Sequence, residues 1–271
     1  HPYRKWVEGN SVELSQLPKR EHVNHSGQSV QRRQRAFGYT EEDLKLLLAP
    51  MANTGKEPLG SMGNDTPLAA LSKHSRMLFD YFTQKFAQVT NPPLDWEREK
   101  IVTSLESAIG PEPNLLADSE LHAKKILIPL PVLNSDEMAQ LKRLDRAKIL
   151  DGYYKPFIVK GLYQVAGGGQ ALKDRLDEIF QEIDEAIENG ANFLVLSDRD
   201  SNYAWGPIPS LLLTSAVQHH LLRRHTRTQI SMVVEAGDVR EIHHVALLIA
   251  YGAAAVNPYL AFESVEDLSR K

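Results

Sequence analysis

Charged and amide side chains follow three short apolar segments in the C-terminal half of the sequence. Asp198 and Arg199 come after NFLVLS, Glu235 follows ISMVV, and Asn257 follows AAAV. If these segments are neighbouring parallel strands, their carboxyl ends lie at one edge of a sheet, where α/β proteins bind ligands. Two carboxylates at that edge could perform acid–base catalysis or hold a divalent cation. Strand-end carboxylates also pair with arginines, and since Arg199 and Arg240 are available, the sequence favours structural pairing over catalysis.

Two histidine doublets, His219-His220 and His243-His244, are candidates for metal ligands. Adjacent helical residues point about 100° apart, so neither doublet can bind one ion through both rings. Glu241 and His244 form an E-x-x-H pair, but a di-iron carboxylate site needs a second such pair, and the sequence has none. Because His220 and His243 lie on apolar helix faces, we expect hydrogen-bonded structural histidines there.

A run of glycines, Gly167 to Gly169, lies between a predicted strand and a predicted helix. The N–H groups at a helix N-terminus can bind an anion. However, GGGQAL lacks the third glycine of the dinucleotide-binding fingerprint, and no lysine follows as in a P-loop. The signal for phosphate binding is therefore weak.

The elements that must position these residues alternate regularly through the second half of the chain. Strands are predicted at 124–132, 157–165, 192–198, 230–236 and 253–258, and helices at 135–143, 170–189, 209–223 and 238–250. Short apolar strands separated by amphipathic helices are typical of parallel sheets with right-handed crossovers. The predicted class is α/β, with parallel βαβ units forming a partial, barrel-like sheet covered by helices.

The N-terminal half is predicted to be rich in helices and loops. Residues 1–39 are polar with little periodicity, so we expect an extended linker segment followed by a single domain over 40–271. Thr40 and Asp43 resemble a helix cap, which predicts a helix over 41–51. The glycines, prolines and Asn-Asp pair that follow, up to residue 67, indicate a loop.

A second N-terminal helix is predicted over 73–88, where apolar and aromatic residues recur at spacings of three and four. Pro92 and Pro93 end it and push the preceding residue towards an extended conformation. The VTNPP stretch is therefore expected to be a rigid elbow that holds Thr90 and Asn91 in place. Pattern alone does not assign them a role.

Composition excludes several classes of function. The chain has 271 residues, 42% of them apolar and 24% charged, with a net charge of -4, so it lacks the basic footprint of a nucleic-acid-binding protein. It contains no cysteine, which excludes a thiolate nucleophile, a disulfide framework and cysteine-ligated metal or iron–sulfur clusters. We expect a cytoplasmic protein, and the abrupt start at His1 suggests a segment of a longer polypeptide.

Four stretches of the sequence resemble the central domain of the large subunit of glutamate synthase. They are GSMGNDTPLAALS, LFDYFTQKFAQVTNPPLDWERE, NFLVLSDRD and VVEAGDVREIHHVALLIAYGAAAVNPYLAF. The resemblance runs in order from about Tyr39 to the C-terminus, and the VTNPP and REIHH stretches are its most specific parts. VAGGGQ departs from the commonest family pattern, so the resemblance assigns no role to the glycine run.

The resemblance implies a domain of an oxidoreductase that acts on CH–NH2 donors and takes part in glutamate biosynthesis. Its partners in the same polypeptide would be an amidotransferase domain and an FMN-binding domain with an iron–sulfur cluster, and the full enzyme would also use a small subunit or ferredoxin. The central domain itself is expected to bind no cofactor and to be inactive alone. The absence of cysteine is consistent with this expectation.

The resemblance also implies a role for the elbow: Met62, Thr90 and Asn91 would lie on the wall of an ammonia tunnel between the two active sites. Ammonia must travel uncharged and shielded from bulk water, so thioether, hydroxyl and amide groups suit the wall better than carboxylic acids. The other hypothesis is a free-standing, barrel-like enzyme that uses the strand-end residues with a metal or a phosphate.

Overall fold

The computed structural model describes residues 2–58, 71–73, 75–83, 94–147 and 149–270. The strands are β1 Ser11–Glu13, β2 Ser107–Ile109, β3 Lys125–Ile128, β4 Pro156–Lys160, β5 Leu162–Gln164, β6 Phe193–Ser197, β7 Trp205–Pro207, β8 Ser231–Glu235 and β9 Ala255–Asn257. The α-helices are α1 Pro2–Asn10, α2 Gln28–Ala36, α3 Ala49–Thr54, α4 Trp96–Val102, α5 Ser135–Leu141, α6 Leu144–Ala147, α7 Gly168–Glu188, α8 Ser210–Arg223, α9 Ile242–Ala250 and α10 Tyr259–Ser269.

The main sheet is parallel and has the strand order β4-β6-β8-β9. Every residue of β6 and β8 is buried, which explains why both strands read as continuous apolar runs. Successive strands are joined by α7, α8 and α9, as in right-handed βαβ units. The predicted α/β class with a partial parallel sheet is confirmed; the described strands form an open sheet of four and no closed barrel.

The two faces of this sheet belong to different cores, because side chains alternate along each strand. Leu194 and Leu196 of β6 pack with the helices α7, α8 and α9. Phe193 and Val195 of the same strand pack with the N-terminal half of the chain instead. This second core contains Leu14, Leu17, Ile109, Ile126, Ile128, Met138, Leu141 and Tyr154. The N-terminal half therefore covers the face that the helices leave open.

The expectation of an extended segment over 1–39 is wrong in its local structure. Residues of this segment form α1 and α2, and β1 pairs in parallel with β3 in a second sheet of order β1-β3-β2. Leu14 and Leu17 are 4% and 2% exposed, so the segment contributes to the core. The polar composition misled the prediction because only a few apolar residues anchor it. The domain boundary near residue 39 stays a prediction.

The two predicted N-terminal helices have different outcomes. The helix expected over 41–51 is present: its first part, Asp43–Leu48, is a π-helix, and α3 extends it to Thr54. The prediction of a helix over 73–88 is wrong for the residues that the structure describes. Among them, only Leu78–Tyr81 form a short 3₁₀ turn. Phe79 is 1% exposed and packs in the core with α8 and α9, so tertiary packing decided the local conformation. The predicted loop over 52–67 is described only to residue 58, and the elbow lies outside the described residues.

In the second half, the predicted elements are present with shifted ends. The strand expected over 157–165 is two strands, β4 and β5, which separate at Gly161. A Cβ at this position would lie 2.5 Å from a methyl group of Leu213, so the close packing there favours glycine. The strand expected over 124–132 is only β3, although Val132 makes an isolated bridge to Val256. The C-terminal helix α10 was not predicted. None of the helices in the described part of the chain has the length and hydrophobicity of a membrane span.

Candidate functional site

The strand-end residues predicted from the sequence meet at the carboxyl edge of the main sheet. The backbone N–H of Asp198 donates to the carbonyl of Glu235 at 3.2 Å, and Glu235 pairs in register with Asn257 on β9. These three side-chain positions are 4%, 2% and 0% exposed, respectively. The sheet therefore places them side by side, but away from solvent. Their use as a ligand or catalytic site stays a prediction.

Glu235 is surrounded by donors from three elements. Lys142, just after α5, places its Nζ 2.5 Å from Oε2, and the hydroxyl of Ser197 donates to the same oxygen. Nη1 of Arg199 lies 3.6 Å from Oε1. A buried carboxylate requires such partners, because an isolated buried charge is very costly. Both oxygens of Glu235 are thus engaged within the protein.

Arg199 continues this network towards α10. Its Nη2 donates to Oε1 of Glu263 at 2.5 Å, and its guanidinium lies 4.5 Å from the ring centre of Tyr259. Glu263 is fully buried, and its Oε2 lies 3.1 Å from Nδ1 of His25. Positive and negative groups alternate from Lys142 through Glu235 and Arg199 to Glu263, so the charges at this edge largely neutralise one another.

Asp198 has a different environment from Glu235. Its two oxygens accept from the backbone N–H of Gly237 at 3.1 and 3.0 Å, next to Tyr259. Burial raises the pKa of Asp198 well above its ordinary value, and the neighbouring Asp238 raises this pKa further. Position 237 must be glycine, because a Cβ would lie 2.6 Å from the ring of Phe37 and 2.8 Å from the Tyr259 hydroxyl.

Replacing Asp198 with asparagine should flatten the pH dependence of stability. Because the pKa of Asp198 is raised in the folded state, that state binds the proton more tightly than the unfolded chain does. The free energy of unfolding then falls as the pH rises from the unfolded pKa, about 3.9, towards the folded value. We expect Asp198→Asn to gain stability relative to the wild type by about 1 kcal/mol or more between pH 4 and pH 8.

Urea unfolding at several pH values measures this difference. Asp200→Asn is the matched control, since Asp200 lies two residues away and its side chain is 72% exposed. The control should follow the wild type at every pH. If the difference in unfolding free energy between Asp198→Asn and the wild type stays constant from pH 4 to pH 8, folding does not raise the pKa of Asp198.

Three histidines of the two doublets make structural contacts with other parts of the domain or with their own helix. His220 Nε2 lies 2.9 Å from Oδ1 of Asp184, and its ring stacks on Phe180. His243 Nε2 lies 3.3 Å from the carbonyl oxygen of Phe79, and Nδ1 of His244 accepts from the N–H of Arg240. The expectation of hydrogen-bonded histidines at 220 and 243 is confirmed. Among the described residues, no group of three or more His, Cys, Asp or Glu could hold a metal ion.

The glycine run shapes the start of α7. Val165–Gly167 form a 3₁₀ turn, and α7 begins at Gly168. Gly168 has φ +59°, a conformation that favours glycine at the junction between the turn and the helix.

Five residues of the strand-end network were not found from the sequence: His25, Lys142, Ser197, Tyr259 and Glu263. Each is distant in sequence from its partner or lies in an element that was not predicted; Lys142 and Glu235, for example, are 93 positions apart. Only Ser197 had a signal in the sequence that could have placed it in the network, because it directly precedes Asp198 on a predicted strand. The predicted tunnel residues Met62, Thr90 and Asn91 lie outside the described residues.

The fold and the strand-end network together define an α/β domain whose parallel sheet carries an internally paired set of charges at its carboxyl edge. The family model described as the glutamate synthase central domain matches residues 32–271. This is most of the chain, and the chain therefore belongs to the glutamate synthase central domain family.

Curated relatives agree with this assignment. The chain is 43% identical over 98% of its length to the glutamate synthase [NADPH] large chain of Bacillus subtilis (strain 168), of which it covers 17%. It is 39% identical over 98% of its length to the ferredoxin-dependent glutamate synthase of Antithamnion sp., again covering 17%. It is 42% identical over 87% of its length to the glutamate synthase [NADH] of Schizosaccharomyces pombe, covering 11%. The chain thus spans a small part of the relatives that it matches.

Among solved structures, one match is a flavocytochrome b2 mutant with pyruvate bound. The two chains share 16% sequence identity, and the TM-score is 0.29. The match covers 58% of this chain and 52% of the flavocytochrome chain. A likeness at this level carries no argument about fold or function.

Proposed function

We propose that this chain is a non-catalytic domain of a glutamate synthase, in which it connects the amidotransferase and FMN-binding domains and helps to form the ammonia tunnel. Family membership and the names of the relatives support the assignment of the parent enzyme as a glutamate synthase. The observation that carries the non-catalytic role is the internal pairing of the strand-end charges. In this proposal, glutamine, 2-oxoglutarate and the electron donor are used by other domains of the polypeptide.

A strand-end site for a metal or a phosphate needs ligands or donors that the protein itself does not use. Here Lys142 and Ser197 engage one oxygen of Glu235, and Arg199 pairs with both Glu235 and Glu263. Asp198 accepts from a backbone N–H and has a raised pKa because of burial, which disfavours metal binding. These contacts stabilise the edge of the sheet and support the connecting domain over the free-standing enzyme.

The tunnel role of Met62, Thr90 and Asn91 rests on the family resemblance, and Thr90 offers the most direct test. We expect Thr90→Trp, made in a full-length glutamate synthase that contains this domain, to lower glutamine-dependent glutamate synthesis at least about tenfold relative to ammonia-dependent synthesis. A bulky indole would obstruct the passage of ammonia while leaving both active sites intact. Steady-state rates with glutamine and with ammonium as nitrogen donors measure the ratio.

Thr90→Ser is the matched control, because serine keeps the hydroxyl and reduces the volume. Its ratio of glutamine-dependent to ammonia-dependent rate should equal that of the wild type. If Thr90→Trp lowers both rates equally, the residue affects folding or the synthase site and has no place on the tunnel wall. If it changes neither rate, the elbow does not line the path.

A further inference from the structure

Residues 18–27 cross the carboxyl edge of the main sheet without regular secondary structure. We call this segment the strap. Apolar residues anchor the chain on both sides of it: Leu14 and Leu17 are buried before it, and Val30 is fully buried after it. Within the strap itself, Val23 is 88% exposed. The strap is therefore fixed at its ends and has little apolar contact along its length.

The middle of the strap is held by polar contacts to carboxylates. The backbone N–H of His22 donates to Asp136 at the start of α5 at 2.7 Å. Nδ2 of Asn24 donates to Glu266 of α10 at 3.2 Å. The backbone N–H and Nδ1 of His25 lie 3.3 Å and 3.1 Å from the oxygens of Glu263. All of these contacts lie at the surface or are partly buried, where water can compete for them.

Glu263 lies beneath the strap and connects it to the buried network. It is fully buried and pairs with Arg199, which in turn lies 3.6 Å from Glu235. His25 is the strap residue that contacts this carboxylate, and His22 lies near the same charges. The strap therefore supplies one of the contacts that cover Glu263.

We propose that the strap is a releasable cover, which opens as a local unit and exposes Glu263 and the adjoining ion pairs while the sheet stays folded. Segments with few buried apolar contacts and exposed backbone open at a lower free energy than the core of the same protein. The buried anchors at Leu17 and Val30 return the strap to its place. The carboxyl edge thus has two states, sealed and hydrated.

Carboxyl footprinting of the 271-residue chain with a carbodiimide and glycine ethyl ester tests this proposal. We expect the double variant Asn24→Ala/His25→Ala to raise the labelling rate of Glu263 about tenfold, since contacts to charged groups are removed. The labelling of Asp198 should stay slow, because Asp198 is buried at the same edge without a contact from the strap. The thermal midpoint should change little.

Two controls define the comparison. Val23→Ala changes an exposed strap side chain and should leave the labelling of Glu263 at the wild-type rate. Glu178, whose side chain is 64% exposed, reports the activity of the reagent in every sample. The proposal is overturned if Glu263 and Asp198 gain reactivity together, or if the double variant labels Glu263 no faster than Val23→Ala.

Hydrogen exchange of the wild-type chain gives a second test that needs no variant. The amides of His22 and His25 should exchange through local opening, much faster than the amides of β6 and β8. Exchange of the two histidine amides only at the rate of global unfolding would show that the strap is part of the cooperative core.

Discussion

Arg199→Met should lower the free energy of unfolding by about 3–5 kcal/mol at neutral pH, because it leaves buried carboxylates without a partner. Arg199 pairs with Glu263, which is fully buried, and with Glu235, which is 2% exposed. Methionine preserves much of the apolar stem of arginine, so lost packing is a minor part of the effect. Chemical denaturation with urea measures the difference.

A second variant at the same position identifies the cause. Arg199→Lys is the matched control: it keeps the positive charge and loses the two-pronged geometry, so we expect a smaller loss than for Arg199→Met. Equal losses in the two variants would assign the effect to geometry and packing rather than to charge. A loss below about 1 kcal/mol in Arg199→Met would contradict a paired network at this edge.

The parallel sheet was predictable because its signal is local. The segments that became β6 and β8 are continuous apolar runs, and each is followed by a helix with a clear apolar face. The cap of α5 also has a local basis: Asn134 accepts from the N–H of Glu137 at 2.9 Å, and Glu137 accepts in return from the N–H of Asn134 at 2.8 Å. The position of Asp198, Glu235 and Asn257 at one edge follows from the parallel arrangement.

The partners of these residues were not predictable, because they come from distant parts of the chain. Glu263 is 64 positions from Arg199 and 238 positions from His25. Its helix, α10, follows Pro258 directly, and no helix was expected there. Sequence reasoning therefore located the edge of the sheet and anticipated the pairing of Arg199. Arg240 pairs with Asp43 instead, and His25 was assigned to a linker.

The N-terminal half shows the limit of pattern reasoning. Its β-strands β1, β2 and β3 have three or four residues each, which is too short for a clear alternation. The spacing of Met77, Leu78, Phe82 and Phe86 suggested a helix, yet Phe79 and its neighbours form a 3₁₀ turn against α8 and α9. The family resemblance was carried by specific motifs and did not depend on these assignments.

Tyr154 offers a test of how firmly the two halves of the chain are joined. Its ring is fully buried and packs edge-on against Phe193 of β6, with ring centres 6.3 Å apart. Its hydroxyl lies 2.9 Å from the carbonyl oxygen of Ile109 on β2 and 3.0 Å from that of Lys124 before β3. One side chain thus connects the parallel sheet to the N-terminal sheet.

Tyr154→Ala should lower the free energy of unfolding by about 3–5 kcal/mol, through the cavity it creates and the hydroxyl contacts it removes. Tyr154→Phe keeps the ring, so its expected loss is about 1–2 kcal/mol. If both sheets form one cooperative unit, urea unfolding followed by circular dichroism and by tryptophan fluorescence gives a single, coincident transition in each variant. Two separate transitions in Tyr154→Ala, with the second at the wild-type midpoint, would mean that the N-terminal half unfolds alone. In that case the shared core around Phe193 would not be what stabilises the parallel sheet.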